Sequence, residues 1–217
     1  MTRKERAKTL AKELSEIYPD AHCELDFGNP LELLVATILS AQCTDVRVNM
    51  VTPSLFKRCP SAADYAGIPQ EELETIIRST GFYRNKAKSI RGMGAALVER
   101  HDGVVPKTIA ELSALPGAGR KTANVVLGNA FGINEGVVVD THVGRLSLRL
   151  GLTKNSDPVK VEQDLMELFP RDQWTDLSHW LIWHGRRRCK ARNPDCEGCE
   201  IRELCPSADQ PDRYLKK

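Results

Sequence analysis

"LPGAGRKTANVVLGNAFG", residues 115 to 132, decides how the rest of the chain is read. A Gly-Ala-Gly turn at Gly117 to Gly119 stands directly before an apolar helical pattern, with Arg120 and Lys121 at the junction. Two mechanisms for Gly-x-Gly before a helix fail here. A phosphate-binding P-loop needs a glycine, four residues and then Gly-Lys-Ser/Thr, but Arg120 separates Gly119 from Lys121 and no strand precedes the turn; a dinucleotide fingerprint needs a third glycine where Thr122 stands. What remains is a helix over "TIAELSAL", a tight turn, and a second helix over "KTANVVLGNAF", a helix-hairpin-helix spanning about residues 108 to 131. The turn glycines permit positive φ, so successive backbone N–H groups can converge on an anion at the positive end of the second helix. That geometry suits one nucleic-acid phosphate held without reference to base sequence, and it makes Gly117, Gly119 and Arg120 candidate DNA contacts. A plain turn between packed helices is the simpler alternative.

Lys121 falls one step into the second helix, where positive charge is electrostatically disfavoured, and Arg120 adds like charge beside it. Cationic neighbours and desolvation are what turn a lysine amine into a nucleophile. A phosphate-contacting cation is the other reading of a lysine in that place, and the hairpin alone leaves both open.

Helical signals continue on both sides of the hairpin, and convincing strand alternation does not. In "NPLELLVATILSAQCTD" Asn29 reads as an N-cap with Pro30 at the first helical position, and Leu31, Leu34, Val35, Ile38 and Leu39 form one stripe. "PQEELETIIRSTG" runs from a proline to Gly81, and "YRNKAKSIRGMGAALVERHDG" ends at Gly103. Thr108 and Glu111 suggest a capping box, and "SDPVKVEQDLMELFP" starts with Asp157 and Pro158 and stops at Pro170. "GVVVDTH" reads as a buried extended linker. The expectation is an all-α protein of roughly ten short helices, with a loose tail over "PSADQPDRYLKK".

The chain has 217 residues, 41% of them hydrophobic, enough for one large domain or two small ones. No apolar run approaches the roughly 18 residues of a membrane span, and "MTRKERAKTLAKELSEIYPD" has no secretory core, so a cytoplasmic protein with no membrane partner is expected. Net charge is only +2, but it is unevenly placed. Five of the seven residues from Arg186 to Arg192 are basic, and Arg78 to Arg91 holds five basic residues and no acidic one. Such runs are either solvated helix faces or surfaces that follow phosphates.

Of seven cysteines, Cys189, Cys196, Cys199 and Cys205 crowd together at the spacing C-x6-C-x2-C-x5-C. Four thiols so close in a chain without an export signal imply a metal centre. Zinc and an iron-sulfur cluster both use four cysteines; zinc sites usually pair two C-x-x-C motifs, and only one is present. Cys23, Cys43 and Cys59 read as ordinary core or surface residues.

With these residues in view, the chain resembles the endonuclease III family of DNA glycosylases over nearly its whole length. The resemblance rests on "LSAQCTD" at 39 to 45, "LPGAGRKTANVVL" at 115 to 127, "VDTHVGR" at 139 to 145 and the cysteine spacing, in that order. It implies an all-α, two-domain helix-hairpin-helix glycosylase fold with a DNA-binding cleft between the domains. One would be a six-helix barrel over residues 23 to 134; the other would join residues 1 to 22 to residues 135 to 217 and carry a [4Fe-4S] cluster on the four cysteines.

The same resemblance makes Lys121 the nucleophile and Asp140 the catalytic carboxylate of an enzyme that flips a damaged base out of double-stranded DNA, excises it and cuts the strand. The lesions implied are oxidised pyrimidines of the thymine glycol type, and the enzyme is expected to act as a monomer. Gln42 would fill the space the base vacates. Phe82 stands where relatives often carry an aliphatic wedge, and ordinary helix-end packing is its other reading. On the residues alone, Asp140 before "THVGRLSLRL" is an N-cap. Lys190 and Arg192, between the first two cysteines of the cluster, would grip the DNA backbone. The alternatives are a glycosylase without strand cleavage and a non-catalytic helix-hairpin-helix module with a structural metal.

Overall fold

The structure is a computed structural model that describes residues 1–211. Among them are eleven α-helices, three 3-10 turns and no strand, as the all-α reading expects. In chain order the helices are α1 (Arg3–Ile17), α2 (Pro30–Leu39), α3 (Asp45–Arg58), α4 (Ala62–Gly67), α5 (Gln70–Ile77), α6 (Tyr83–His101), α7 (Ile109–Ser113), α8 (Arg120–Phe131), α9 (Thr141–Arg149), α10 (Pro158–Leu168) and α11 (Trp174–Arg187). They divide into two compact units, Cys23–Ile133 and a discontinuous unit of Met1–His22 with Asn134–Lys217.

The Cys23–Ile133 unit is organised around α2. Its start follows from local chemistry: the Asn29 side chain accepts the Glu32 N–H at 3.0 Å, and Pro30, which has no N–H to satisfy, sits in the first turn. Beyond that turn every residue from Leu33 to Leu39 is buried. The single apolar stripe read from the sequence is therefore too narrow. Helices α3, α6 and α8 all pack on α2, so it needs apolar side chains on every side. The unit has seven α-helices where the resemblance implies six; two of them, α4 and α7, are only six and five residues long. Where α4 crosses α6, a Cβ on Gly94 would lie 2.7 Å from the Ala62 carbonyl oxygen and 2.8 Å from the Ala66 nitrogen. Only glycine permits that approach of two backbones.

In the discontinuous unit α9 packs on α11, and α1 packs on both α10 and α11. Leu10, Leu14, Val143, Leu146, Leu165, Leu177 and Leu181 are fully or almost fully buried and form its core. The three-valine run forms neither helix nor strand, with Val137 and Val138 buried and the Val138 N–H donating to Ser178 Oγ at 3.0 Å.

The loose tail needs correction as far as Pro211. Ser207 is buried and donates to the Arg149 carbonyl at 2.7 Å, and Arg149 Nε donates to the Pro211 carbonyl at 2.9 Å. A buried guanidinium needs acceptors, and the polar tail supplies one. The rest of the expected tail, residues 212 to 217, lies outside the described residues.

Candidate nucleic-acid interface and cysteine site

Helix α7 opens with Thr108, whose Oγ accepts the Glu111 N–H at 3.2 Å. The reciprocal half of the expected capping box differs: the Glu111 carboxylate accepts from the Thr108 hydroxyl rather than from its backbone. The turn that follows uses its two glycines for different purposes. Gly117 has φ +79°, and a Cβ there would come within 2.7 Å of Ser89 Cβ on α6, so both conformation and packing demand glycine. Gly119 does not take the positive φ expected of it. It is extended (φ −107°, ψ −177°), and a Cβ would meet nothing within 4 Å. As the N-cap of α8 it brings no side-chain acceptor to the N–H groups at the positive end of a twelve-residue helix. An anion fits that arrangement.

Lys121, in the first turn of α8, is exposed, and its amine has no hydrogen bond or ion pair among the described residues. Arg120 beside it is exposed but engaged. Asp140 lies in the discontinuous unit, where it caps α9: its Oδ1 accepts the N–H groups of His142 and Val143, each at 2.8 Å. The buried Val143 and Leu146 fix that helix, and so fix the carboxylate.

Two further candidates share an uncommon backbone. Gln42 has φ +52° and Phe82 has φ +48°, and neither is glycine. Left-handed conformations cost of order 1–3 kcal/mol for a non-glycine residue and persist only where the surroundings over-determine them. Both side chains point outward; Phe82 is 62% exposed, so it is not packed on a helix end.

Lys190 and Arg192 are exposed on the loop between Cys189 and Cys196. The basic run around them is less available than its count suggests. Arg188 pairs with Glu200 and Asp195, both at 2.8 Å, and the Arg187 guanidinium lies 3.7 Å from the Trp183 ring centroid. In the other basic run Lys86 is buried. Its ammonium donates to the Leu39 and Thr80 carbonyls at 2.7 and 2.8 Å, and burial pushes its pKa below the ordinary lysine value.

The four clustered cysteines carry no disulfide and line one cavity with Leu146, His184 and Ile201. Arg149 Nη1 lies 3.2 Å from Cys189 Sγ, and His184 Nε2 lies 3.6 Å from Cys199 Sγ. Burial pushes the Cys199 thiol up to about 11 and raises Cys196 and Cys205 as well. Thiolates in such a place need positive charge beside them, which a metal centre and the Arg149 guanidinium supply. Among the described residues no three His, Cys, Asp or Glu side chains are grouped to hold a single metal ion. The donors present, four sulfurs around a shared cavity with an Arg149 N–H directed at Cys189 and a His184 ring nitrogen beside Cys199, fit an iron-sulfur cluster.

Residues 35–171 match the model of the HhH-GPD superfamily base excision DNA repair proteins, and residues 189–205 match that of the iron-sulfur binding domain of endonuclease III. The endonuclease III of Synechocystis sp. is 55% identical over 207 residues, covering 95% of this chain and 94% of the relative. The chain belongs to the endonuclease III family. Two solved structures of endonuclease III with DNA, a non-covalent complex and a trapped covalent intermediate, each superpose with a TM-score of 0.92 at 45% identity, covering 98% of this chain and all of theirs. The family relationship settles the metal left open by cysteine spacing: the cofactor is a [4Fe-4S] cluster.

The sequence reading of this endonuclease III family member missed Lys86 and Arg149. Lys86 stood as one basic residue among five. Arg149 is 1% exposed and donates to the Lys190 carbonyl at 2.7 Å and the Ala191 carbonyl at 3.1 Å, so it holds the candidate DNA loop from inside. In "LSLRL" nothing but a break in the apolar run marked it.

Proposed function

We propose that this enzyme removes oxidised pyrimidines of the thymine glycol type from duplex DNA, with Lys121 as nucleophile and Asp140 as the carboxylate of the reaction. Membership of the endonuclease III family makes it a base-excision repair enzyme with DNA glycosylase and abasic-site lyase activities. The observation that carries the assignment of the nucleophile is the exposed, unpartnered Lys121 amine beside the uncapped start of α8.

The chemistry assigns each residue a task. Gly117 and the first N–H groups of α8 take one phosphate, with Arg120 adding positive charge. Gln42 and Phe82 enter the helix stack as the damaged nucleotide leaves it. The Lys121 amine attacks the sugar's C1′; the bond from C1′ to the base breaks, and the base departs with the electron pair and takes up a proton. Asp140, held by two N–H donors at a helix start, is a carboxylate placed to stabilise positive charge developing on the sugar. After the sugar ring opens, Lys121 is joined to C1′ as an imine, which acidifies the C2′ proton. Loss of that proton expels the 3′ phosphate, and water then releases the enzyme.

Cys189, Cys196, Cys199 and Cys205 would hold the cluster through their thiolates, and it would serve there to brace the loop between them. Lys190 and Arg192 are then free to meet the DNA backbone.

Among the described residues no helix is long and apolar enough to cross a membrane. We infer action as a monomer in the cytoplasm. One chain carries both reacting side chains, and a thiol-held cluster suits a reducing compartment.

Lys121→Gln tests the assignment. It should abolish turnover on a thymine glycol duplex while leaving the DNA Kd within about threefold, because no phosphate contact is removed. Turnover close to wild type would remove Lys121 from the nucleophile's role.

A further inference from the structure

Gln42 and Phe82 stand at the ends of two loops that meet at one buried group. The first leaves α2 at Leu39 and turns through Gln42, with the Cys43 N–H donating to the Ser40 carbonyl at 3.1 Å. That turn takes the N–H that would have reached the Leu39 carbonyl had the helix continued, so Leu39 keeps one of the unpaired carbonyls of a helix end. The second loop leaves a 3-10 turn at Thr80, passes Gly81 at φ +70° and reaches Phe82 at φ +48°. Thr80 is buried as well.

Lys86, in the first turn of α6, closes both ends. Its Nζ donates to the Leu39 carbonyl at 2.7 Å and to the Thr80 carbonyl at 2.8 Å, and its backbone N–H takes the Phe82 carbonyl at 3.1 Å. An ammonium is well suited to this: it has three donors, and it places positive charge at the negative end of the α2 dipole. Phe82 is thereby bracketed on both sides by one residue. Gln42 is tied through a carbonyl three positions before it.

We propose that Lys86 is a positioning residue for base extrusion. Its buried ammonium binds the two loop ends together and keeps Gln42 and Phe82 in the left-handed conformations that direct them into DNA. The proposal rests on the reading of Gln42 and Phe82 as the residues that enter the stack. Lys86 itself touches no DNA. It acts by making two separate loops move as one, so that the residue filling the vacated space and the residue wedging beside it arrive together.

The test is single-turnover cleavage of an abasic site in duplex and in single-stranded DNA, in a cycle of Lys86→Met, Gln42→Ala/Phe82→Ala and the triple variant, with melting curves for each. Lys86→Met should lower the ratio of duplex to single-strand rates about tenfold, since only the duplex requires unstacking. The same change should lower the ratio less than about twofold in the Gln42→Ala/Phe82→Ala background, where its targets are gone. Should Lys86→Met not fold, Lys86→Gln, which keeps N–H donors, takes its place in the cycle. Two results overturn the proposal alone: an undiminished loss in the Gln42→Ala/Phe82→Ala background, or equal losses on the two DNAs. A Gln42→Ala/Phe82→Ala variant with the wild-type ratio overturns the reading beneath it, and the proposal falls with that reading.

Discussion

The two units of this molecule present their proposed DNA contacts by different physical means. In the Cys23–Ile133 unit three of the working parts are positions of unusual backbone: Gln42, Phe82 and Gly117 all have positive φ. A nearly all-apolar core and the single buried ammonium of Lys86 hold them there. In the discontinuous unit Lys190 and Arg192 sit on a loop wrapped around cysteines and tied by guanidinium groups. Arg149 binds the Lys190 and Ala191 carbonyls, Arg145 binds the Gly185 and Cys189 carbonyls, and Arg188 binds Asp195 and Glu200. The difference follows from what each has to present. Backbone N–H groups and probing side chains depend on φ and ψ, whereas the loop that encloses four thiols is fixed by cations reaching its carbonyls and by Ile201 in the core.

The largest effect that sharpens this comparison concerns acid. Burial, helped by repulsion from His22, pushes His179 in the discontinuous unit down to about 4. The unfolded chain binds a proton near the ordinary value of 6.5 and the folded chain does not, so stability is present above pH 6.5 and is lost as pH falls toward about 4. The loss from this one group is up to about 3 kcal/mol. Urea melts across that range should show a shallower loss for His179→Gln than for wild type; parallel curves would break the link between burial and acid sensitivity.

Next come the glycines of the hairpin, where the account separates two identical residues. Gly117→Ala forces a positive φ and a close approach to Ser89, and should cost about 1–3 kcal/mol in denaturation. Gly119→Ala meets no neighbour and should cost less than about 1 kcal/mol, yet it puts a methyl group at the anion site and should weaken DNA binding. Equal costs for the two would contradict the strain argument.

The smallest effect belongs to the arginine-tied loop. Lys190→Glu/Arg192→Glu should weaken DNA binding about tenfold at low salt and make the slope of log K against log salt shallower by about 2, two phosphate contacts having been lost. Unchanged affinity and slope would remove the loop from the interface.

Much of the fold was legible because its signals are local. Asn29 with Pro30, Asp157 with Pro158 and Asp140 before a helical repeat each mark a helix start within three or four residues, and each caps a helix in the structure. The cysteine spacing was legible for the same reason. What escaped depends on partners far along the chain. Lys86 is buried because its acceptor, Leu39, lies 47 positions away, and Arg149 because its acceptor, Pro211, lies 62 positions away. Basic residues usually mark solvent, so both were hidden by their own chemistry. The strain at Gln42 and Phe82 was invisible too, since nothing in a side chain's identity announces a positive φ that its surroundings impose.

The most direct test is borohydride trapping on a duplex with one thymine glycol, using wild type and Lys121→Gln. Lys121 as nucleophile predicts a covalent protein–DNA adduct from wild type and none from the variant. An adduct of equal yield from both would contradict it.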